Sequence, residues 1–268
     1  MTIPTVFLAL TKVEIDIAYD FGNKLKAVVD VEYQNNAEGV DVEQAFITYA
    51  VNDGFTVKAG RFLSYSGWET EEPTGLFQYS GAGYAPYFYG YYQQGVSGMY
   101  SGDGFAVAVS LVNDLAGPLE TDSSTVGVET MVAIMPTDEI TVKGFYSFED
   151  ETTLVNLWAS YGKGPLTVAA EYNMSENAPA YAAAGVDSEA SGFLLMGNYA
   201  FDTFGLTVRY HAWDIEDATG ATYEEASGFT ISPSVAVNDN LLMVFEYRME
   251  EINSSDSNSI AVEALVTF

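Results

Sequence analysis

Apolar and polar residues alternate with a period of two along almost the whole chain. The clearest stretch is the last, where Ile260, Val262, Ala264, Val266 and Phe268 alternate with Ala261, Glu263, Leu265 and Thr267. Such alternation sends successive side chains to opposite faces of a strand. The pattern predicts fifteen strands, at 11–21, 25–34, 42–51, 55–63, 91–101, 105–113, 125–135, 140–149, 153–161, 166–173, 191–201, 206–214, 226–237, 241–250 and 257–268, with no helix between them. A soluble sandwich would need about half as many strands, packed as two sheets. Strands of roughly ten residues in unbroken series suit a single antiparallel β-barrel whose wall crosses a bilayer.

The connections alternate in length. Short ones fall at 22–23, 52–54, 102–104, 136–139, 162–164, 202–203 and 238–240, and most are rich in Gly, Asn and Asp, the residues of tight hairpins. Long ones fall at 35–41, 64–90, 114–124, 174–189, 215–225 and 251–256, with 150–152 a short exception among them. Short turns on one rim and long loops on the other are what periplasmic and extracellular ends look like. The first and last strands both run toward the short-turn rim, whereas a closed antiparallel barrel needs an even count. A further strand is therefore expected before Thr11, supplied in part by Ile3–Leu10, which makes sixteen strands with fourteen as the alternative. No linker or low-complexity tract divides residues 1–268, so one domain is expected.

Composition narrows the class further. There is no cysteine, which removes disulfides and thiolate chemistry and suits an exported chain. No run approaches the 18 or so apolar residues of a membrane helix, and mean hydropathy is only +0.06. The start, Met1–Leu10, lacks the basic and long apolar parts of an export signal, so the signal of an exported protein is expected to be missing already. With 38 acids against 9 bases the net charge is −29. That argues against nucleic acid, which must be met by Lys and Arg. Many acids lie in or beside the long loops and the bases lie on strands or short turns, so a negative outer mouth is expected. Its field would concentrate cations within about 8 Å at physiological ionic strength.

Strand phase says where the remaining charges point. Lys26, Asp30 and Glu32 oppose Ala27, Val29 and Val31; Glu246, Arg248 and Glu250 oppose Phe245, Tyr247 and Met249; Arg209, His211 and Trp213 oppose Val208 and Tyr210. A Lys or Arg in lipid costs roughly 2–4 kcal/mol at the midplane, so the charged phase is expected to line a polar, water-filled interior. Tyr19, Phe21, Tyr33, Tyr49, Tyr146, Tyr161, Tyr172, Tyr210 and Phe268 lie near strand ends and are expected to form aromatic girdles at the interfaces.

The loop 64–90 is the longest interruption and carries Trp68, Leu76, Phe77, Tyr79, Tyr84, Tyr87, Phe88 and Tyr89. So many apolar rings would be costly in water, so the loop is expected to fold into the barrel as a constriction. Glu69, Glu71 and Glu72 would then face Lys58 and Arg61 across a narrow eyelet, with Trp68, Tyr84, Tyr87, Tyr89, Arg209, His211, Glu246 and Arg248 completing the lining. The run Lys58-Ala59-Gly60-Arg61-Phe62, followed by Gly67-Trp68-Glu69 and Glu72-Pro73, resembles the outer-membrane β-barrel porin family of Gram-negative bacteria. The likeness covers the fold over nearly the whole chain, and its motif about fifteen residues. It implies passive diffusion of small hydrophilic solutes and a homotrimer in the outer membrane, facing lipid and lipopolysaccharide.

Catalysis is not expected. His211 is the only histidine, and Asp214, three residues along a strand, points to the opposite face. No P-loop, G-x-S-x-G or H-E-x-x-H is present. No cofactor is expected beyond Ca²⁺, which the extracellular acids Asp214, Glu216, Asp217, Glu224 and Glu225 could hold through oxygen ligands. The leading reading is a cation-preferring diffusion porin. Two others stand beside it: a plugged structural or adhesive surface barrel bridged by Ca²⁺, and a sugar-specific channel using the tyrosine-rich loop.

Overall fold

The computed structural model describes residues 10–34, 39–69, 72–115 and 125–268. Fifteen strands form one sheet in strict sequence order, each antiparallel to the next. They are β1 (Lys12–Gly22), β2 (Leu25–Gln34), β3 (Val40–Ala50), β4 (Phe55–Leu63), β5 (Tyr92–Gly102), β6 (Phe105–Val112), β7 (Gly127–Thr137), β8 (Ile140–Glu149), β9 (Thr152–Lys163), β10 (Leu166–Glu176), β11 (Glu189–Ala200), β12 (Gly205–Glu216), β13 (Thr222–Asn238), β14 (Leu241–Ile252) and β15 (Ser255–Val266). Among the described residues no helix is long and apolar enough to cross a membrane, as the absence of a long apolar run requires.

The sheet is curled. Segment 64–90 contacts β1 through Lys12, β10 through Glu171 and β14 through Glu246. In a flat sheet β1 and β14 would lie about 60 Å apart at the usual strand spacing, so the wall must wrap around the loop. Among the described residues β1 and β15 are not paired with one another. Both run toward the short-turn rim, which makes them parallel, so an antiparallel closure needs one more strand between them. The strand expected at Ile3–Leu10 falls almost wholly outside the described residues.

The two faces separate as the alternation requires. In β6 Ala106, Ala108, Ser110 and Val112 are buried, whereas Phe105, Val107, Val109 and Leu111 are exposed to the surroundings. The outward set continues around the wall with Val132, Leu157, Leu195 and Phe245, and the inward set with Glu129, Asn156, Glu171, Arg209 and Glu246. The aromatics expected near the strand ends are largely outward, with Tyr19, Phe21, Tyr49 and Tyr146 all exposed. Tyr210 is a correction, since it lies in the middle of β12 opposite Leu195 and Phe229.

Two loops are shorter than expected. The segment 215–225 is mostly strand, with β12 and β13 paired up to Glu216 and Thr222. The segment 251–256 reduces to a turn at Asn253 and Ser254, whose φ values of 48° and 62° are left-handed, as a two-residue hairpin prefers. Their acids read as loop because charge and strand rarely go together within a bilayer. Hairpins that climb beyond the bilayer meet no such restriction.

Candidate functional site

Loop 64–90 is not a flap at the mouth but a folded body inside the wall. It contains one 3-10 turn at Pro73–Gly75 and one helical turn at Ala85–Phe88. Its rings provide the reason it stays there. Tyr84, Phe88 and Tyr89 are buried against Leu154, Ala169, Tyr181, Leu194, Met196, Trp213, Ile215 and Ala226, all on the inner side of β9–β13 or the adjoining loop. Tyr84 meets Phe88, Tyr89, His211 and Trp213 edge-on, at ring separations of 5.5 to 6.2 Å. The interior is therefore dry along this side, which corrects the expectation of a uniformly polar lumen. Apolar residues at inward strand positions make the platform, and the loop aromatics need it.

Polar anchors fix the loop's register. Glu171, on β10, accepts from the Tyr84 hydroxyl at 2.6 Å, the Tyr89 hydroxyl, the Trp68 backbone N–H at 2.8 Å and Asn156 Nδ2 at 2.6 Å. Glu129, on β7, accepts from the Ser64 hydroxyl and from Tyr65 N at 3.2 Å. On the far wall Arg209 donates to Glu69 at 2.6 Å, to Ser80 O at 2.5 Å and to Thr230 Oγ1 at 3.1 Å. Arg248 donates to Gly81 O at 2.7 Å and Ala82 O at 3.0 Å, and Glu246 receives Ser80 N at 3.0 Å and Ser80 Oγ at 2.7 Å. Glu69 also accepts from Gln78 Nε2 and Ala82 N at 2.7 and 2.5 Å. It ties the loop to itself as well as to the wall.

These contacts revise the expected lining. Glu69, Tyr84, Tyr89, Arg209, His211 and Glu246 are all closed off from solvent or nearly so. They brace the loop and cannot themselves border an open passage. His211 stacks on Trp213 at 5.7 Å with the planes 10° apart. The Cε1–Nε2 edge of its ring lies so close to Gly228 that a Cβ there would come within 2.4 Å of it, so a side chain at that position would displace the imidazole. The eyelet pairing also differs from expectation. Lys58 lies over the rings of Phe46, Phe62 and Tyr65 at 4.7 to 5.1 Å, a cation–π arrangement. Arg61 donates to Glu43 O at 2.8 Å and lies 3.6 Å from Asp41. Trp68 packs edge-on to Trp158 at 5.3 Å, and Tyr87 donates to Glu224 at 3.1 Å. Glu71 lies outside the described residues.

What the loop presents to the opposite wall is Glu72. Its carboxylate is 3.1 Å from Lys12 Nζ, and Lys12 also meets Glu14 at 3.2 Å, Glu32 and, at 3.6 Å, Glu43. Lys12, Glu14, Glu32 and Glu43 were not among the expected site residues. Their signal was present in the inward phase of β1 to β3, where Lys12, Glu14, Asp16, Asp30, Glu32, Asp41 and Glu43 recur at alternate positions until the phase slips after Glu43. The slip is a β-bulge: Asp30 pairs with Gln44 and Val31 with Val42, so Glu43 is the extra residue. A bulge re-aims a side chain, and its trace in the sequence is the three-residue step from Val42 to Ala45 in the outward set. Glu129 and Glu171 were equally legible as lone acids in apolar strands.

The five acids expected to hold Ca²⁺ are not brought together. Glu224 turns inward to Trp213 Nε1 at 2.8 Å, and Asp217 caps its own turn through Thr219 and Ala221. Asp214 and Glu225 pair across the outward face, one position out of phase with Glu224.

The tyrosine latch has a pH signature. Burial, then the Glu171 and Glu69 carboxylates, push the Tyr84 phenol well above its ordinary value, and burial, then Tyr84 and Glu171, do the same to Tyr89. Burial and Glu224 push Tyr87 up to about 12. A phenol whose folded pKa is raised contributes stability that is complete below its unfolded value of about 10 and is lost as pH rises through the folded one. Hydrogen exchange of loop amides should therefore show an unchanged latch at neutral pH and loosening only above about pH 10. Loosening between pH 6 and 9 would mean that these hydroxyls do not hold it.

Comparison with known proteins agrees with this architecture. The family described as "Putative beta-barrel porin-2, OmpL-like" matches residues 6–267. Among solved structures the fold is similar to an anion-selective porin from Comamonas acidovorans, at 14% identity and a TM-score of 0.71, covering 96% of this chain and 89% of that one. It is similar to outer-membrane expressed OmpT of Vibrio cholerae, at 14% identity and a TM-score of 0.68, covering 96% and 89%. In-vitro folded OmpT of Vibrio cholerae in a trimer form matches at 15% identity and a TM-score of 0.63, covering 96% and 86%. No curated protein matches in sequence.

Proposed function

The chain belongs to the β-barrel porin-2 family of the outer membrane, and from that membership we propose that it is a diffusion channel whose eyelet prefers cations. Its passage runs between the Glu72 side of the loop and the inner faces of β1 to β4. The carrying observation is the charge at the open side of that cluster: the partly exposed Glu14 and Glu72 meet the single ammonium of Lys12, with Glu32 and Glu43 buried behind it. In a narrow, partly desolvated opening, an excess of carboxylates lowers the energy of a passing cation and raises that of an anion. The acidic outer rim, within a net charge of −29, favours the same ions before they enter. The anion-selective porin from Comamonas shares the fold at 14% identity, too distant for its selectivity to carry over. Small hydrophilic solutes of no single class would share the route, and the trimer form of OmpT supports a homotrimer here.

The test is a planar bilayer under a KCl gradient. Steady openings with a reversal potential of cation sign are expected, moving toward zero in Glu72→Gln. A reversal potential of anion sign would overturn the preference, and silence from correctly folded protein would identify a plugged barrel.

A further inference from the structure

Between the loop and the inner wall of β8 and β9 lies a cavity of about 410 Å³, within the size range of small-molecule sites. Trp68, Leu76, Phe77 and Gln78 line it from the loop, and Lys143 and Trp158 from the wall. Trp68 and Trp158 meet at 5.3 Å with their planes 71° apart, so the two indoles form an apolar corner. A flat ring placed there meets one indole by its face and the other by its edge, both favourable contacts. Lys143 pairs in register with Trp158, and its Nζ lies over the indole ring at 5.0 Å. Among the described residues no carboxylate is within ion-pairing distance of Lys143. That is unusual in a chain with 38 acids against 9 bases, where Lys12, Arg209 and Arg248 each meet one inside the wall. Glu69 also borders the cavity but is already engaged by Arg209, Gln78 and Ala82 N. Two more polar groups of the lining have no partner: Trp158 Nε1 and Gln78 Oε1, on residues only 8% and 3% exposed. Buried polar groups normally find partners, and a lone ammonium against an aromatic wall is an anion acceptor.

We propose that this cavity binds a small aromatic carboxylate. The Lys143 ammonium pairs with the carboxylate, and the Trp158 N–H, on the ring that the ammonium overlies, is its second donor. The aromatic body lies in the indole corner against Leu76 and Phe77. A cationic solute is repelled by Lys143, and a neutral sugar leaves the ammonium unpaired. The cavity is apart from the Lys12 cluster on β1 to β3, and binding requires no conduction, so it stands or falls separately from the channel reading.

The experiment is calorimetric titration of the full chain in nonionic detergent micelles with sodium benzoate, and separately with benzyl alcohol and benzamidine hydrochloride, at constant ionic strength. Benzoate should bind saturably, one equivalent per chain. The neutral and cationic probes should bind at least about tenfold more weakly, because only a carboxylate gains the charge pair. Lys143→Met should lose about tenfold or more in benzoate affinity for the same reason. Trp158→Phe, which keeps a ring and removes the N–H, should also weaken benzoate. The three probes are compared on the wild-type chain, so the result decides even if a substitution disturbs the wall. Benzoate heats that fail to saturate would overturn the site, and so would benzyl alcohol or benzamidine binding as tightly as benzoate. Wild-type benzoate affinity in folded Lys143→Met or Trp158→Phe would do the same.

Discussion

Arg209→Met is expected to release the loop from the far wall while leaving the barrel folded. The guanidinium is fully buried and joins Glu69, Ser80 O, Gly81 O and Thr230. Removing it strands the Glu69 carboxylate in a dry interior, and breaking a buried pair from one side costs about 3–5 kcal/mol. The strand ladder is untouched, so the loss should fall on loop docking. Hydrogen exchange of amides 72–82 should rise sharply while strand amides stay protected, and single-channel conductance should increase. Unchanged exchange in that segment would show that Arg209 is not an anchor. Methionine is preferred to alanine here because it keeps most of the volume and isolates the lost charge.

Glu171→Leu is expected to free the other end. It leaves the Tyr84 and Tyr89 hydroxyls and the Trp68 N–H without their acceptor, at about 1–3 kcal/mol for each donor left buried, while Asn156 keeps its bond to Asn173. Glu171→Gln should be milder, since an amide oxygen still accepts and the phenols can turn to accept from its NH₂. The ordering wild type, Gln, Leu in loop protection, read by limited proteolysis between residues 64 and 90, is the diagnostic result. Equal cleavage in all three would mean that the aromatic packing alone holds the loop. Arg209 and Glu171 anchor different parts of one segment, so the double variant should lose more than either single change.

Most of the wall was legible residue by residue. β2 and β4 lie at Leu25–Gln34 and Phe55–Leu63, as the alternation predicts, because a half-lipid, half-interior strand writes its phase in every second side chain. The inward direction of Glu246, Arg248 and Arg209 followed from the same rule. What failed was local geometry without a periodic signature. The tall hairpin at Asn253 and Ser254 hid beneath acidic residues that look like loop. The bulge at Glu43 breaks the period it would be read from.

Within the site, the sequence identified the loop and its rings but assigned its partners to the nearest bases in the chain, Lys58 and Arg61. The actual partners for Glu69 and Glu72 are Arg209 and Lys12, 140 residues away in the first case. Curling the sheet brings β12 and β1 within reach of one loop, and no pairwise spacing encodes that.

The sequence by itself determined the class of the protein: the fifteen described strands, their direction and the inward turn of charge. These follow from a two-residue period against a lipid that excludes charge, and each strand decides them locally. The tertiary structure alone decided which inward charges meet, which are sealed beneath the loop as braces, and which are left to face one another around Lys12. Those outcomes depend on how far the wall curves and where the loop's rings find apolar footing. They are properties of the curled interior rather than of any segment.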